Sequence, residues 1–238
     1  MKRFYTEAAV MPHGEGLAIA LDGKAVRTPA GQLLLAGHAD LAEAIAAEWR
    51  GQGEEILPHS MPLCQLLSTA LDRVIPNRFV IVEQLMNYAG TDLLCYRAES
   101  PRDLVERQER VWQPLIDWVL VAFGVEMQVT RGVIPISQPT EAIAALENTV
   151  AGYDPLRLTA LQSAVPATGS LVLGLALVEE RLTAEEAFAI SQLDETYQTE
   201  LWGEDPEAAR ARAALRRDIA AASRFLELSV RKDMQLGH

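Results

Sequence analysis

Leu17, Ile19 and Leu21 alternate with small residues until the pattern breaks at Asp22-Gly23. Alternation with period two predicts a strand, and Asp-Gly tolerates the positive φ of a two-residue hairpin turn. A second turn around Pro29-Ala30-Gly31 leads into another short strand, so the first forty residues read as a small sheet. Such a sheet needs a partner layer. "DLAEAIAAEWRGQG" offers one, because Leu41, Ile45 and Trp49 fall on one helical face. Asp40 is placed to N-cap that helix, and Gly51 and Gly53 to end it. "MPLCQLLSTALDRV" reads as a helix up to Pro76, and "NRFVIVEQLMNYAG" as another, capped by Asn77 and stopped by Gly90. "DLLCYRA" then reads as a short strand returning to the sheet.

After Ser100 the texture changes. Ser100 as N-cap, Pro101 at the first helical position and Asp103 in the first turn predict a long helix. Leu104, Val111, Leu115, Trp118 and Phe123 keep helical company, and Pro114 predicts a kink. "VEMQVTRGVIPI" reads as an extended interlude. Helices then start at Thr140, at Asp154-Pro155, at the Thr183/Glu186 capping box and at Asp205-Pro206. Among them "TGSLVLGLALVEE" is apolar on every side and predicts the most buried helix. The expected fold class is α+β: a small β-containing N-terminal domain, residues 1–99, followed by a helical-bundle domain, residues 100–238.

Composition narrows the function. The chain has 238 residues, 49% of them hydrophobic, enough to bury a real core. A formal net charge of -12 argues against nucleic acid as a partner. Cys64 and Cys95 lie far apart and predict two buried thiols in a reducing compartment. The N-terminus lacks the apolar region of a secretory signal, and "GSLVLGLALV" is too short to span a bilayer. These features read as a cytoplasmic protein without stable membrane insertion. No phosphate-binding loop, dinucleotide fingerprint or nucleophile elbow is present. His13, His38, His59 and His238 are scattered and pair with no cysteine at metal-ligand spacing. No cofactor or metal is expected.

One segment stands out. "SQLDETYQTELWGED", from Ser191 to Asp205, sets five carboxylates around a tyrosine and a tryptophan. Placed on one continuous helix beginning at Thr183, Ile190, Leu193, Tyr197 and Leu201 form a core stripe. Phe188, Glu195 and Trp202 fall on a different side at i, i+7 and i+14, with Ser191 and Gln198 beside them. Two readings compete. Phe188 and Trp202 pack on neighbouring helices while Glu195 pairs with Arg210 or Arg212; or the stripe is a docking face, where a carboxylate ringed by aromatics specifies a basic group on a partner protein. A third, enzymatic reading makes the carboxylates near Trp202 the acid and base of a small-molecule hydrolase.

"LDETYQTELWG" resembles the Leu-Glu-Glu-x-x-Gln-x-x-x-Trp-Gly signature of the Atp-twelve family, assembly chaperones of the F-type ATP synthase. "KRFY", "LDGKAVRTPAGQLL", "LAEAIAAEW", "MPLCQLLSTALD", "TDLLCYRA" and "RQERVWQPLIDW" resemble further family blocks, in family order. The resemblance implies a chaperone and not an enzyme. It would bind the free alpha subunit of the catalytic head, shield it, and release it when beta subunits arrive. It also implies a β-containing N-terminal domain before a helical bundle. A monomer is expected. The family's functionally critical glutamate falls on Glu195. Trp202, Phe188, Gln198, Asp194 and Glu204 complete the partner-binding set. Mitochondrial members often carry a further glutamate and a His-Asp pair after Trp-Gly, where this chain has "EDPEAARARA" and lacks the pair. Glu204, Asp205 and Glu207 are equal candidates for the later acidic position. The absence of a transit peptide fits a bacterial member.

Overall fold

The computed structural model describes residues 1–132 and 134–229. Val133, inside the expected extended interlude, and His238 lie outside the described residues. The chain divides into two compact units, one of Met1–Pro76 with the chain from Arg224, the other Asn77–Ser223. The change of texture near Ser100 therefore falls inside the second unit.

In the first unit, strands β1 (Ala8–His13), β2 (Gly16–Leu21), β3 (Lys24–Ala25) and β4 (Leu35–Ala36) form one antiparallel sheet. β2 is central, paired to β1 on one edge and to β3 and β4 on the other. Asp22 (φ 47°) and Gly23 (φ 76°) make the β2–β3 turn with both residues left-handed, as the sequence predicts. The Asp22 carboxylate also accepts the backbone N–H groups of Thr6 and Glu7 at 3.0 and 2.8 Å, tying down the start of the chain. Helix α1 (Ala39–Arg50) packs on this sheet with Leu41, Ile45 and Trp49 buried. It starts two residues earlier than expected. His38 holds the N-cap position and Asp40 sits in the first turn, where a carboxylate favours the helix dipole. Helix α2 (Pro62–Thr69) follows and widens into a π-turn over Ala70–Val74.

The second unit is built around a short apolar helix. It begins with α3 (Arg78–Gly90), and then the chain reaches β5 (Tyr96–Arg97). β5 does not return to the first sheet. It pairs in parallel with β6 (Thr130–Arg131), which follows helix α4 (Arg102–Phe123) in the chain. Among the described residues after Ser100, β6 is the only strand, and the remaining regular structure is helical. α4 starts at Arg102 with Pro101 in the N-cap position, one residue later than expected, and continues through Pro114. Helices α5 (Thr140–Gly152), α6 (Pro155–Thr168) and α7 (Leu171–Val178) come next. Asp154 caps α6 by accepting the N–H groups of Leu156 and Arg157. Every residue of α7 is buried, with α3, α4 and α6 against it. Gly174 lets α6 approach: a Cβ there would lie 2.5 Å from Val165 Cγ2 and 2.9 Å from Leu161 Cδ1.

Asp92 locks α7 in place. Its carboxylate is fully buried and accepts from Leu94 N at 3.0 Å, Ser170 Oγ at 2.7 Å and Val172 N at 2.9 Å. Burial outweighs these donors and pushes the group up to about 6. Cys64 and Cys95 are free and buried, and burial pushes their thiols up to about 11 and about 12. Among the described residues no helix is long and apolar enough to cross a membrane.

Candidate functional site

The acidic segment lies on two helices. α8 (Ala184–Ser191) opens with the Thr183/Glu186 capping box, and α9 (Leu193–Trp202) follows after a break at Gln192 (φ -102°, ψ 22°). The break corrects the single continuous helix expected from the sequence. Its physical cause is a competing donor: the Trp112 indole N–H, from α4, donates to the carbonyl of Ile190 at 3.1 Å. That carbonyl therefore has a partner without the next turn of helix. The break removes Phe188 from the stripe. Phe188 lies under the Arg216 guanidinium, 5.9 Å from its ring centre, and Arg216 is itself paired with Glu185 at 2.6 Å.

One face of α9 is clamped to α4. The Asp194 carboxylate accepts from Gln108 Nε2 at 2.7 Å, while Gln108 Oε1 accepts the Ala98 N–H at 2.8 Å. Tyr197 donates its hydroxyl to both oxygens of Asp103, at 2.8 and 2.9 Å. Arg107 pairs with Glu200 at 2.8 Å and stacks 5.3 Å over the Tyr197 ring. Leu193 and Tyr197 are buried as expected, but Leu201, assigned to the same stripe, is 55% exposed. Asp194 is therefore a structural carboxylate, turned inward to a glutamine that is itself 1% exposed.

The opposite face of α9 remains free of such ties. Gln192, Glu195, Gln198, Thr199 and Trp202 line a groove of about 390 Å³, and Ala208, Ala211, Arg212 and Leu215 of α10 (Pro206–Ser229) form its other wall. Gly203 (φ 83°, ψ 169°) makes the corner between the two helices in a backbone region that only glycine adopts readily. Asp205 caps α10 by accepting the N–H groups of Glu207 and Ala208, each at 3.0 Å. Glu204 pairs with Arg212 at 3.1 Å, and Arg212 also donates to Thr196 Oγ1 at 2.9 Å. The arginine expected to neutralise Glu195 is thus taken, and Arg210 turns to the carbonyl of Pro206. The Glu195 side chain is exposed and has no hydrogen-bond or ion-pair partner among the described residues. Trp202 is 78% exposed.

Of the six residues expected at the site, the groove gathers Glu195, Gln198 and Trp202. Glu204 does not line it but is bound to Arg212, which does. Phe188 and Asp194 do other work. The wall on α10 was missed, although Ala208, Ala211 and Leu215 recur at i, i+3 and i+7, which marks a helix face. The acids do not converge as a catalytic pair would: Asp194 turns to α4, Asp205 caps a helix, Glu204 is ion-paired and Glu195 points to solvent. Among the described residues no group of histidine, cysteine or carboxylate side chains is placed to hold a metal.

Residues 2–120 match the family model described as ATP12 chaperone protein. Over nearly the whole length, the chain is 38% identical to Atp12 from Paracoccus denitrificans, whose crystal structure superposes with a TM-score of 0.91 over 96% of this chain and 98% of that one. The chain belongs to the ATP12 chaperone family. The Atu1473 protein from Agrobacterium tumefaciens matches at 41% identity and a TM-score of 0.90, over 95% of this chain and 85% of that one. The mitochondrial atp12 protein of Schizosaccharomyces pombe is 26% identical over 214 residues, 85% of this chain and 74% of its own. Membership of the ATP12 family gives the chain a chaperone role in ATP synthase assembly, and its solved relatives include bacterial proteins.

Proposed function

We propose that this ATP12 chaperone acts as a monomer in a bacterial cytoplasm, binding the free alpha subunit of the F-type ATP synthase through the groove between α9 and α10. It works by reversible binding and turns over no substrate. The observation that carries the reading is the pairing, in one groove, of a tryptophan that is 78% exposed with a carboxylate that has no partner among the described residues. A large exposed aromatic in a concave site is the usual anchor of a protein interface. Covering the exposed part of Trp202 contributes about 3–5 kcal/mol of gross burial energy. The other face of α9 is committed to α4, so a client can dock without disturbing the helix. Release follows from competition, since the beta subunit and the chaperone cannot cover the same client surface together.

Light scattering of purified alpha subunit tests this directly. An equimolar amount of the chaperone is expected to suppress its aggregation, and added beta subunit to displace the chaperone. Aggregation that proceeds equally with and without the chain would overturn the proposal.

A further inference from the structure

Resting on that docking reading, we infer that the groove reads an arginine side chain of the client, held over Gln198 between the Glu195 carboxylate and the Trp202 ring. The spacing along α9 carries the inference. Gln198 lies three residues after Glu195 and four before Trp202, one helical turn of about 5.4 Å from each, on one face. A cation over Gln198 is therefore within side-chain reach of a carboxylate on one side and an indole on the other.

The groove is short of positive charge where it matters. Its one cation, Arg212, is spent on Glu204 and Thr196. Asp205 is committed to the first N–H groups of α10. Among the described residues that line the groove, Glu195 alone keeps a carboxylate without a partner, so the complementary guest carries one positive charge. Arginine fits better than lysine. Its planar guanidinium stacks on an indole, presents a fork of donors to a carboxylate and an amide oxygen together, and is less strongly hydrated than an ammonium group. The remaining wall, Ala208, Ala211 and Leu215, is apolar, and receives an aliphatic side chain of the client beside the arginine.

The test uses the full chain and short alanine-based peptides, each carrying one leucine and, one helical turn away, either arginine, lysine or citrulline, the neutral isostere of arginine. The readout is the indole N–H signals of the four tryptophans by NMR. Trp202→Phe identifies the signal of Trp202. The arginine peptide is expected to shift that signal saturably at millimolar concentration, binding at least about tenfold tighter than the citrulline peptide. Glu195→Gln removes the preference while the signals of buried Trp49 and Trp112 stay in place, which shows that the fold is intact. Absence of any shift, equal binding of the arginine and citrulline peptides, lysine binding as well as arginine, or a preference that survives Glu195→Gln would each overturn the inference. Binding of purified alpha subunit separates the two levels. If Trp202→Ala abolishes it while the peptides show no preference for arginine, the docking site stands and the arginine reading falls. If Trp202→Ala leaves it unchanged, the docking site itself is wrong.

Discussion

Asp194 and Glu195 are neighbours in sequence with opposite fates, and substituting each in turn tests the assignment. Asp194→Ala removes the acceptor of Gln108 Nε2, a bond of 2.7 Å made by a side chain that is 1% exposed. Gln108 cannot turn to water, because its other end holds the backbone N–H of Ala98. The substitution therefore strands a buried donor, at a cost of about 1–3 kcal/mol. For a chain of this size, about 2 kcal/mol lowers Tm by roughly 4–8 °C. Glu195→Lys changes an exposed side chain without a partner among the described residues, and its effect on stability stays within about 0.5 kcal/mol. Urea denaturation of both variants, followed by far-UV circular dichroism, gives the two numbers. A stable Asp194→Ala protein, or a Glu195→Lys protein destabilised by as much as Asp194→Ala, would refute the division of α9 into a clamped and a free face.

Other consequences follow from the same structure. Asp92 is raised to about 6 in the fold against an ordinary value of about 3.9, so the folded state holds the proton more tightly than the unfolded one. The stability this adds is complete below about pH 4 and is lost as pH rises through about 6; wild-type protein, compared with Asp92→Asn, is expected to lose about 2–3 kcal/mol more between pH 4 and pH 7. Denaturant titrations of both proteins at the two pH values check this, and a difference that does not change with pH would contradict it. Gly203→Ala meets no neighbouring atom, so its cost is backbone strain alone, about 1–3 kcal/mol at the α9–α10 corner. Hydrogen exchange localises that loss: faster exchange confined to the end of α9 and the start of α10 is expected, and unchanged rates there would count against the corner as described.

The sequence made the local features legible and left the long-range ones hidden. The Asp22-Gly23 turn, the Asp154 cap and the Thr183/Glu186 box each depend on residues within a few positions, and each stands where the pattern puts it. The buried stripe of α1 and the wholly buried α7 were legible for a similar reason, since hydrophobic periodicity needs no partner to be named. The break at Gln192 was not legible, because the donor that fixes it, Trp112, lies 78 residues before Ile190, whose carbonyl it takes. Extending one helix through that break is what placed Phe188 beside Glu195. Nor could the pattern say which of two adjacent acids turns inward, when Gln108 is 86 positions from Asp194. The pairing of Tyr96–Arg97 with Thr130–Arg131 was equally hidden, since a two-residue strand has no period to read.

The central claim is that the free face of α9, with Glu195 and Trp202, is where the client docks. Its most direct test is the affinity of purified alpha subunit for wild-type chain, Glu195→Lys and Trp202→Ala, measured by biolayer interferometry alongside melting curves of the same proteins. Near wild-type melting is expected for both variants, with a loss of binding of about 2–5 kcal/mol, roughly thirtyfold or more, for each. Undiminished binding by both variants, with normal melting, would contradict it and leave the groove a solvated surface.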